Sequence, residues 1–200
     1  MKFLRIAHVL PAILIAVAQH FAFAQTCDPQ TGSATPGSLE YTLNPLKNRT
    51  AAPTSAQIDH TITLTAVLAP GNDETRFHTN KGAVIEGWVI GTKLEGKESC
   101  NCNKTDPKDR DYHIAIAKKK TETDGSKMMV VEVTPKVRAA MGWSTTDVTG
   151  LKGHKVKFTG WMFFDTKHKN IARNTHFGSA AVVRATCWEV HPVMKFDIVQ

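Results

Sequence analysis

Five β-rich apolar runs fill the second half of the chain, with one short helical stretch between the third and the fourth. The runs are Ala83–Gly91, Tyr112–Ala117, Met128–Val133, Lys155–Asp165 and Arg184–His191, and the helical stretch is Pro135–Met141. Apolar runs of this length, rich in Val, Ile and aromatics and bounded by turn residues, read as strands. Three strands, a helix and two strands is the order of an OB-type barrel. An SH3-like barrel is the nearest rival, but it has no natural place for the helix. The expected fold is mainly β: an OB-like five-stranded barrel with a short helix between strands three and four.

Side-chain alternation assigns faces to these runs. In the second run Tyr112, Ile114 and Ile116 share one face, and His113, Ala115 and Ala117 the other. In the third, Met129, Val131 and Val133 point inward and Glu132 outward. In the fourth, Val156, Phe158, Gly160, Met162 and Phe164 share a face opposite Trp161 and Phe163. Pro192 breaks the fifth run, and Val193–Val199 can add a terminal strand.

The first 24 residues read as a cleavable export signal. Lys2 and Arg5 give a positive start, Val9–Ala18 an apolar centre, and Ala22-Phe23-Ala24 the small residues before a cut at Gln25. The apolar run is too short for a membrane span, so the expected location is the periplasm or outside the cell. Residues 25–57 read as an irregular arm rich in Pro, Thr, Ser and Gly, which Leu39, Tyr41, Leu43 and Leu46 can pin to the barrel. Residues 58–200 form the barrel domain with a leading helix or strand. The spacing of Ile58, Ile62 and Ala66 favours a helix there. Twenty-five basic against 18 acidic residues give +7. Losing Lys2 and Arg5 with the signal leaves 23 against 18, a net of +5. That permits an anionic partner without demanding one.

Cys27, Cys100, Cys102 and Cys187 all lie after the signal. An even count in an oxidising compartment favours disulfides. Cys100 and Cys102 are too close in sequence to bond each other without strain. The expected pattern joins Cys187 to one of them and Cys27 to the other. A Cys102–Cys187 link would contribute ~4 kcal/mol in the chain-entropy model. A metal site using the C-x-C pair is the rival reading.

Gly91-Thr92-Lys93-Leu94-Glu95-Gly96-Lys97 has the glycine and lysine spacing of a phosphate loop. Glu98 stands where that loop needs Ser or Thr, and its charge would repel phosphate. The following Ser99-Cys100-Asn101-Cys102 does not begin a helix, so nucleotide hydrolysis is excluded here. No H-E-x-x-H or G-x-S-x-G occurs, and the motifs imply no cofactor.

Two constellations remain. His113, His168, Glu189 and His191, with Asp165 and His176 nearby in sequence, can make a metal site or an acid–base pair if strands two and five converge. Trp88, Tyr112 and Trp161 with Lys118, Lys119 and Lys120 can make a stacking and phosphate-tracking face, because OB barrels bind across strands two and three.

Six blocks carry a resemblance. They are Ile85-Glu86-Gly87-Trp88-Val89, Glu98-Ser99-Cys100-Asn101-Cys102, Asp111-Tyr112-His113-Ile114, Val131-Glu132-Val133-Thr134-Pro135, Gly160-Trp161-Met162-Phe163-Phe164-Asp165 and Ala185-Thr186-Cys187-Trp188-Glu189-Val190-His191-Pro192-Val193. From about Ile58 to the C-terminus the chain resembles exported bacterial proteins of unassigned function. The resemblance implies an exported domain and supplies no catalytic residue. The leading expectation is a non-enzymatic binding module for an anionic polymer, single-stranded nucleic acid first, or for an envelope protein. A metal-assisted hydrolase built on the histidine and glutamate cluster is the second, and a structural envelope domain the third.

Overall fold

The computed structural model describes residues 27–200, so the expected signal segment, residues 1–24, lies outside the described residues. Five strands close into a barrel: β1 (Gly82–Leu94), β2 (Tyr112–Ala117), β3 (Met129–Val133), β4 (Lys155–Phe164) and β5 (Trp188–Ile198). Around the barrel the order is β1-β2-β3-β5-β4, with β4 returning to β1. Only the β3–β5 pair is parallel. Helix α1 (Leu39–Lys47) belongs to the N-terminal arm, and α2 (Leu64–Val67) precedes the barrel. Helices α3 (Pro135–Met141) and α4 (Thr145–Thr149) lie between β3 and β4. This is the mainly β barrel expected from the order of the runs, with α3 in its expected place.

Closure depends on the length of β1. Its first half, from Gly82, pairs with β4 and its second half, to Leu94, pairs with β2. A register shift between Val89 and Gly91 lets one strand serve both neighbours, since a bulge bends a strand and increases its twist. The inward faces fill the centre with Ile85, Ile114, Met129, Val131, Phe158 and Met162, all fully buried. Each such side chain contributes roughly 1.5–3 kcal/mol of burial.

The fifth run extends past its expected end. Pro192 does not break it, because β4 shifts register on both sides of Gly160, opposite Val193 and Val190. A ladder irregularity accommodates a residue with no N–H to donate. The backbones come very close there: a Cβ on Gly160 would lie 2.2 Å from the Pro192 carbonyl oxygen.

Two expectations for the N-terminal part are corrected. The arm is not irregular throughout but contains the nine-residue α1, capped by Ser38, whose side chain accepts from the Tyr41 amide. Of the apolar residues expected to pin it, Leu39 and Tyr41 are exposed and Leu43 and Leu46 are half-buried. Asn44 and Asn48, four apart and so on one face of α1, face the barrel instead and are buried. Asn44 Nδ2 donates to Thr31 O at 2.7 Å and Ser99 Oγ at 3.0 Å. Asn48 Nδ2 donates to Gln30 O at 2.7 Å and Cys100 O at 3.1 Å. The leading helix of the barrel domain shrinks to the single turn of α2, capped by Thr63.

The cysteine pattern holds for Cys27, expected to join Cys100 or Cys102, and is corrected for Cys187. Cys27 bonds Cys102, while Cys100 and Cys187 are free and buried. Cys187 is held elsewhere, its amide on Asp73 Oδ2 and its sulfur 3.2 Å from Thr175 Oγ1. The arm delivers Cys27 to the β1–β2 loop because Gly32 lies against that loop, where a Cβ would come 2.0 Å from Ser99 O.

Candidate metal centre

Strand pairing brings together the outward faces of β2, β3 and β5. His113 stands directly across from Glu132 in the β2–β3 ladder. Val131 pairs with Val190 in the parallel β3–β5 ladder, which sets Glu132 beside Glu189 and His191. Alternation points all four side chains away from the barrel core. They are nevertheless covered, because α1 and the β1–β2 loop lie over this face. Glu132 is 1% exposed, and Glu189 and His191 are 0% exposed.

Each carboxylate here has one oxygen in a conventional hydrogen bond or ion pair and the other turned into the cluster. Asp111 Oδ1 accepts from Asn101 Nδ2 at 3.0 Å, and its carboxyl group also shares a hydrogen bond with that of Glu98. Glu132 Oε1 holds a very short contact with His113 Nε2, and Oε2 is unpartnered. Glu189 Oε1 accepts from Arg184 Nη1 at 2.5 Å, and Oε2 is unpartnered. Both ring nitrogens of His191 lack a hydrogen bond. Its Nδ1 lies 3.0 Å from Glu132 Oε2 and 3.6 Å from Glu189 Oε2, close enough for ion pairing but not aligned as a hydrogen bond. Each buried polar group left unmet in this way costs about 1–3 kcal/mol.

Among the described residues, three groups hold potential ligand atoms within 4.8 Å of one another: Asp111–Glu132–His191, Glu98–Cys100–Asp111 and Asp165–His168–Glu189. Built-in cations separate them. In the third group the Arg184 guanidinium lies 3.5 Å from Asp165 and 2.5 Å from Glu189, and His168 closes on Asp165. In the second, Lys47 Nζ lies 2.7 Å from Glu98 Oε1. The first group has no Lys or Arg within ion-pair distance; its charge partners are His113, His191 and, at longer range, Lys47.

Protonation follows from this crowding. Burial opposes charge on His113, but Glu132, with help from Glu189 and Glu95, holds its proton up to about 9. Burial likewise opposes charge on His191, and Glu132 and Glu189 raise it to about 10. For Glu132, burial is outweighed by His113, His191 and Lys47, and the carboxylate is held well below its usual range. Burial, reinforced by Glu132, pushes Asp111 up to about 8. Burial and Glu132 also raise Glu189. The metal-free arrangement is thus an anionic Glu132 flanked by two imidazolium rings.

Of the expected acid–base residues, His113, Glu189 and His191 converge. His168, with Asp165, reaches Glu189 from the other side, within 4.8 Å, and is part-exposed at the edge of a cleft of about 500 Å³ that Lys47 and Glu98 also line. His176 is exposed and contacts Asn170 O. The expected stacking face does not assemble. Tyr112 is in the barrel core. Trp161 packs under the arm with Val137 and Met194, its Nε1 donating to Ala51 O at 2.8 Å. Only half-buried Trp88 meets a lysine of the run, with Lys120 Nζ 5.2 Å from its ring centre. Lys118, Lys119 and Lys120 are exposed. Sequence reasoning missed Asp111, Glu132 and Lys47. The available signal was Glu132 itself, one acid in an otherwise apolar strand.

Residues 72–164 match the family model of a domain of unknown function (DUF6359). The match includes Asp111, His113 and Glu132 and stops before Glu189 and His191. No curated protein matches the chain.

Proposed function

We propose that this is an exported binding domain that takes one divalent metal ion at Asp111, Glu132 and His191. The observation carrying this reading is the grouping itself: two carboxylates and an imidazole, all buried, with ligand atoms within 4.8 Å of one another, and with Glu132 Oε2 and both His191 ring nitrogens making no aligned hydrogen bond. Oxygen and imidazole donors at this spacing are ordinary ligands for divalent metals. The outer contacts fit as well, because ligating carboxylates are oriented by groups on their second oxygen. Asn101 does this for Asp111 and His113 for Glu132. Glu95, Glu98, Asp111, Glu132, Asp165 and Glu189 surround the centre, and an ion bound there would take the place of the protons held by His191 and Asp111. Export is supported by the basic and apolar N-terminus, by the Cys27–Cys102 disulfide, and by the absence among the described residues of a helix able to cross a membrane.

The test is isothermal titration of chelator-stripped protein with zinc, cobalt(II), calcium and magnesium. One ion per chain is expected. At a free concentration 100 times the dissociation constant, it should stabilise the fold by about 2.7 kcal/mol. Asp111→Asn and His191→Asn should each abolish that gain. Absence of stoichiometric binding, or equal binding by both variants, refutes the reading.

The exposed lysine run supports a second reading, a contact for an anionic polymer at the β2–β3 turn. Lys118, Lys119 and Lys120 have no acidic partner among the described residues, and Lys120 covers the only aromatic of the expected face that remains accessible. Retention on single-stranded DNA should weaken with salt, and further when the three lysines become Gln. Elution independent of salt removes this reading.

A further inference from the structure

A separate cleft of about 480 Å³ lies between the arm, α3 and β4. Pro29 and Pro45 wall it, and Trp161 of β4 lies beneath. Two cations line it, Arg49 just after α1 and Lys136 in the first turn of α3, and no lining residue is acidic. Neutral groups fix both. The Arg49 guanidinium lies over the Trp161 ring, 4.6 Å from its centre, and Nη1 donates to Thr79 O at 2.7 Å. Lys136 Nζ donates to Pro29 O. Neither cation has a carboxylate within ion-pair distance among the described residues. Asp28, whose charge Lys136 feels, lies outside the lining and accepts from the Gln30 and Thr31 amides. Burial lowers the proton affinity of both groups, the direction of a partly buried cation short of countercharge. The larger cleft differs: there Lys47, Lys167 and His168 are each paired to a carboxylate.

We infer that the cleft between the arm and α3 binds an organic phosphate, a phosphomonoester whose charge is met by Arg49 and Lys136 and whose organic part rests on Pro29 and Pro45. The inference is independent of the metal-binding reading above. A phosphomonoester carries close to two negative charges near neutral pH, matching two cations, where a carboxylate carries one. Arg49 gives one N–H to the protein and Lys136 one of its three, so both keep donors for a ligand. A guanidinium presents its remaining donors as a fork that fits phosphate oxygens, and an ammonium acts beside it as a point charge. Both side chains are already held in place, by Trp161 with Thr79 and by Pro29, which lowers the ordering cost of binding. Binding makes and breaks no covalent bond.

Calorimetric titration with chelator present tests this, using phenyl phosphate, inorganic phosphate and benzoate as probes. Phenyl phosphate should bind one per chain and more tightly than the other two. Arg49→Gln and Lys136→Gln should each weaken it about tenfold or more, the loss expected for a charge-assisted hydrogen bond. Gln at Lys118, Lys119 and Lys120 together should leave it unchanged. Arg49→Gln also loses its packing on Trp161, so a readout without variants accompanies it. Phenyl phosphate should slow acylation of Lys136 and phenylglyoxal modification of Arg49 in the wild-type chain, with acylation of Lys118 as the unaffected reference. No saturable binding, unchanged binding in either variant, or protection of neither residue overturns the inference. Equal binding of benzoate overturns the preference for a dianion, and equal binding of inorganic phosphate overturns the role of the proline wall. With chelator present, none of these results depends on the metal centre.

Discussion

Replacing Glu132 by Gln tests the electrostatics of the buried face most directly. The side chain keeps its size and loses its charge, so packing is spared and the anion between His113 and His191 disappears. Glu132 is 1% exposed and His191 0%, so solvent offers little compensation. Removing one partner of a buried ion pair costs about 3–5 kcal/mol. At about 2–4 °C per kcal/mol for a domain of this size, the melting temperature should fall by roughly 6–20 °C in metal-free protein. The pH dependence has a definite sign. His113 and His191 are raised from 6.5 to about 9 and about 10. Their contribution is fully present below pH 6.5 and is lost as pH rises through those values. Glu132 is held below 4.5, so its contribution is present above that pH and lost as pH falls through its folded value. The difference between wild type and variant should therefore be widest between pH 5 and 7 and should narrow toward pH 10. Thermal unfolding followed by circular dichroism with chelator present, at pH 6 and pH 10, measures both. A fall at pH 6 below about 2 °C, or an equal fall at both pH values, would refute the ion-pair account.

Two further predictions concern the scaffold. Cys27→Ser with Cys102→Ser opens a link spanning 75 residues; the chain-entropy model puts the loss at about 4 kcal/mol by urea unfolding, and a loss under about 1 kcal/mol would show that the arm is held without the bond. Gly160→Ala places a Cβ 2.2 Å from Pro192 O and 3.0 Å from the Val193 Cα, both backbone atoms; the β4–β5 ladder must shift, at a cost of about 1–3 kcal/mol in the same assay, and an unchanged midpoint would contradict the close approach.

The barrel was legible because its strands alternate. Tyr112, Ile114 and Ile116 were assigned inward and are buried in the core, and His113 and Glu132 were assigned outward and are. What alternation does not encode is whether an outward face meets water. Here it meets α1, whose hydrogen bonds and ion pair to the barrel side come from Asn44, Lys47 and Asn48, with Leu39 exposed and Leu43 and Leu46 only half-buried. No hydrophobic pattern announces that contact, so the cover over Glu132, Glu189 and His191 stayed invisible, and with it the reason they lie beyond the reach of solvent. The choice among the cysteines stayed open, and Cys187 was misassigned, for a related cause. Which cysteine meets Cys27 depends on the path of an arm held by polar contacts, and cysteine spacing carries no trace of that path. His113, Glu189 and His191 could be picked out as chemistry-bearing residues, while Asp111, at the end of a loop, had no periodicity to mark it.

The same polar contacts tie the arm to the proposed ion. The segment Glu98–Asn103 pairs with Lys47 of α1 through Glu98, receives Asn48 at the Cys100 carbonyl, and is bonded to the arm through Cys102. It also reaches Asp111 through Asn101. An ion held at the proposed site by Asp111 would stabilise the loop conformation that the arm requires, and a docked arm would stabilise the loop conformation that the ion requires. Binding free energies linked in this way are reciprocal. An arm docked by apolar burial would cover the face equally well, but its docking would not depend on the conformation of the ligand loop. Polar docking onto that loop would make the cover and the proposed ion each other's effectors.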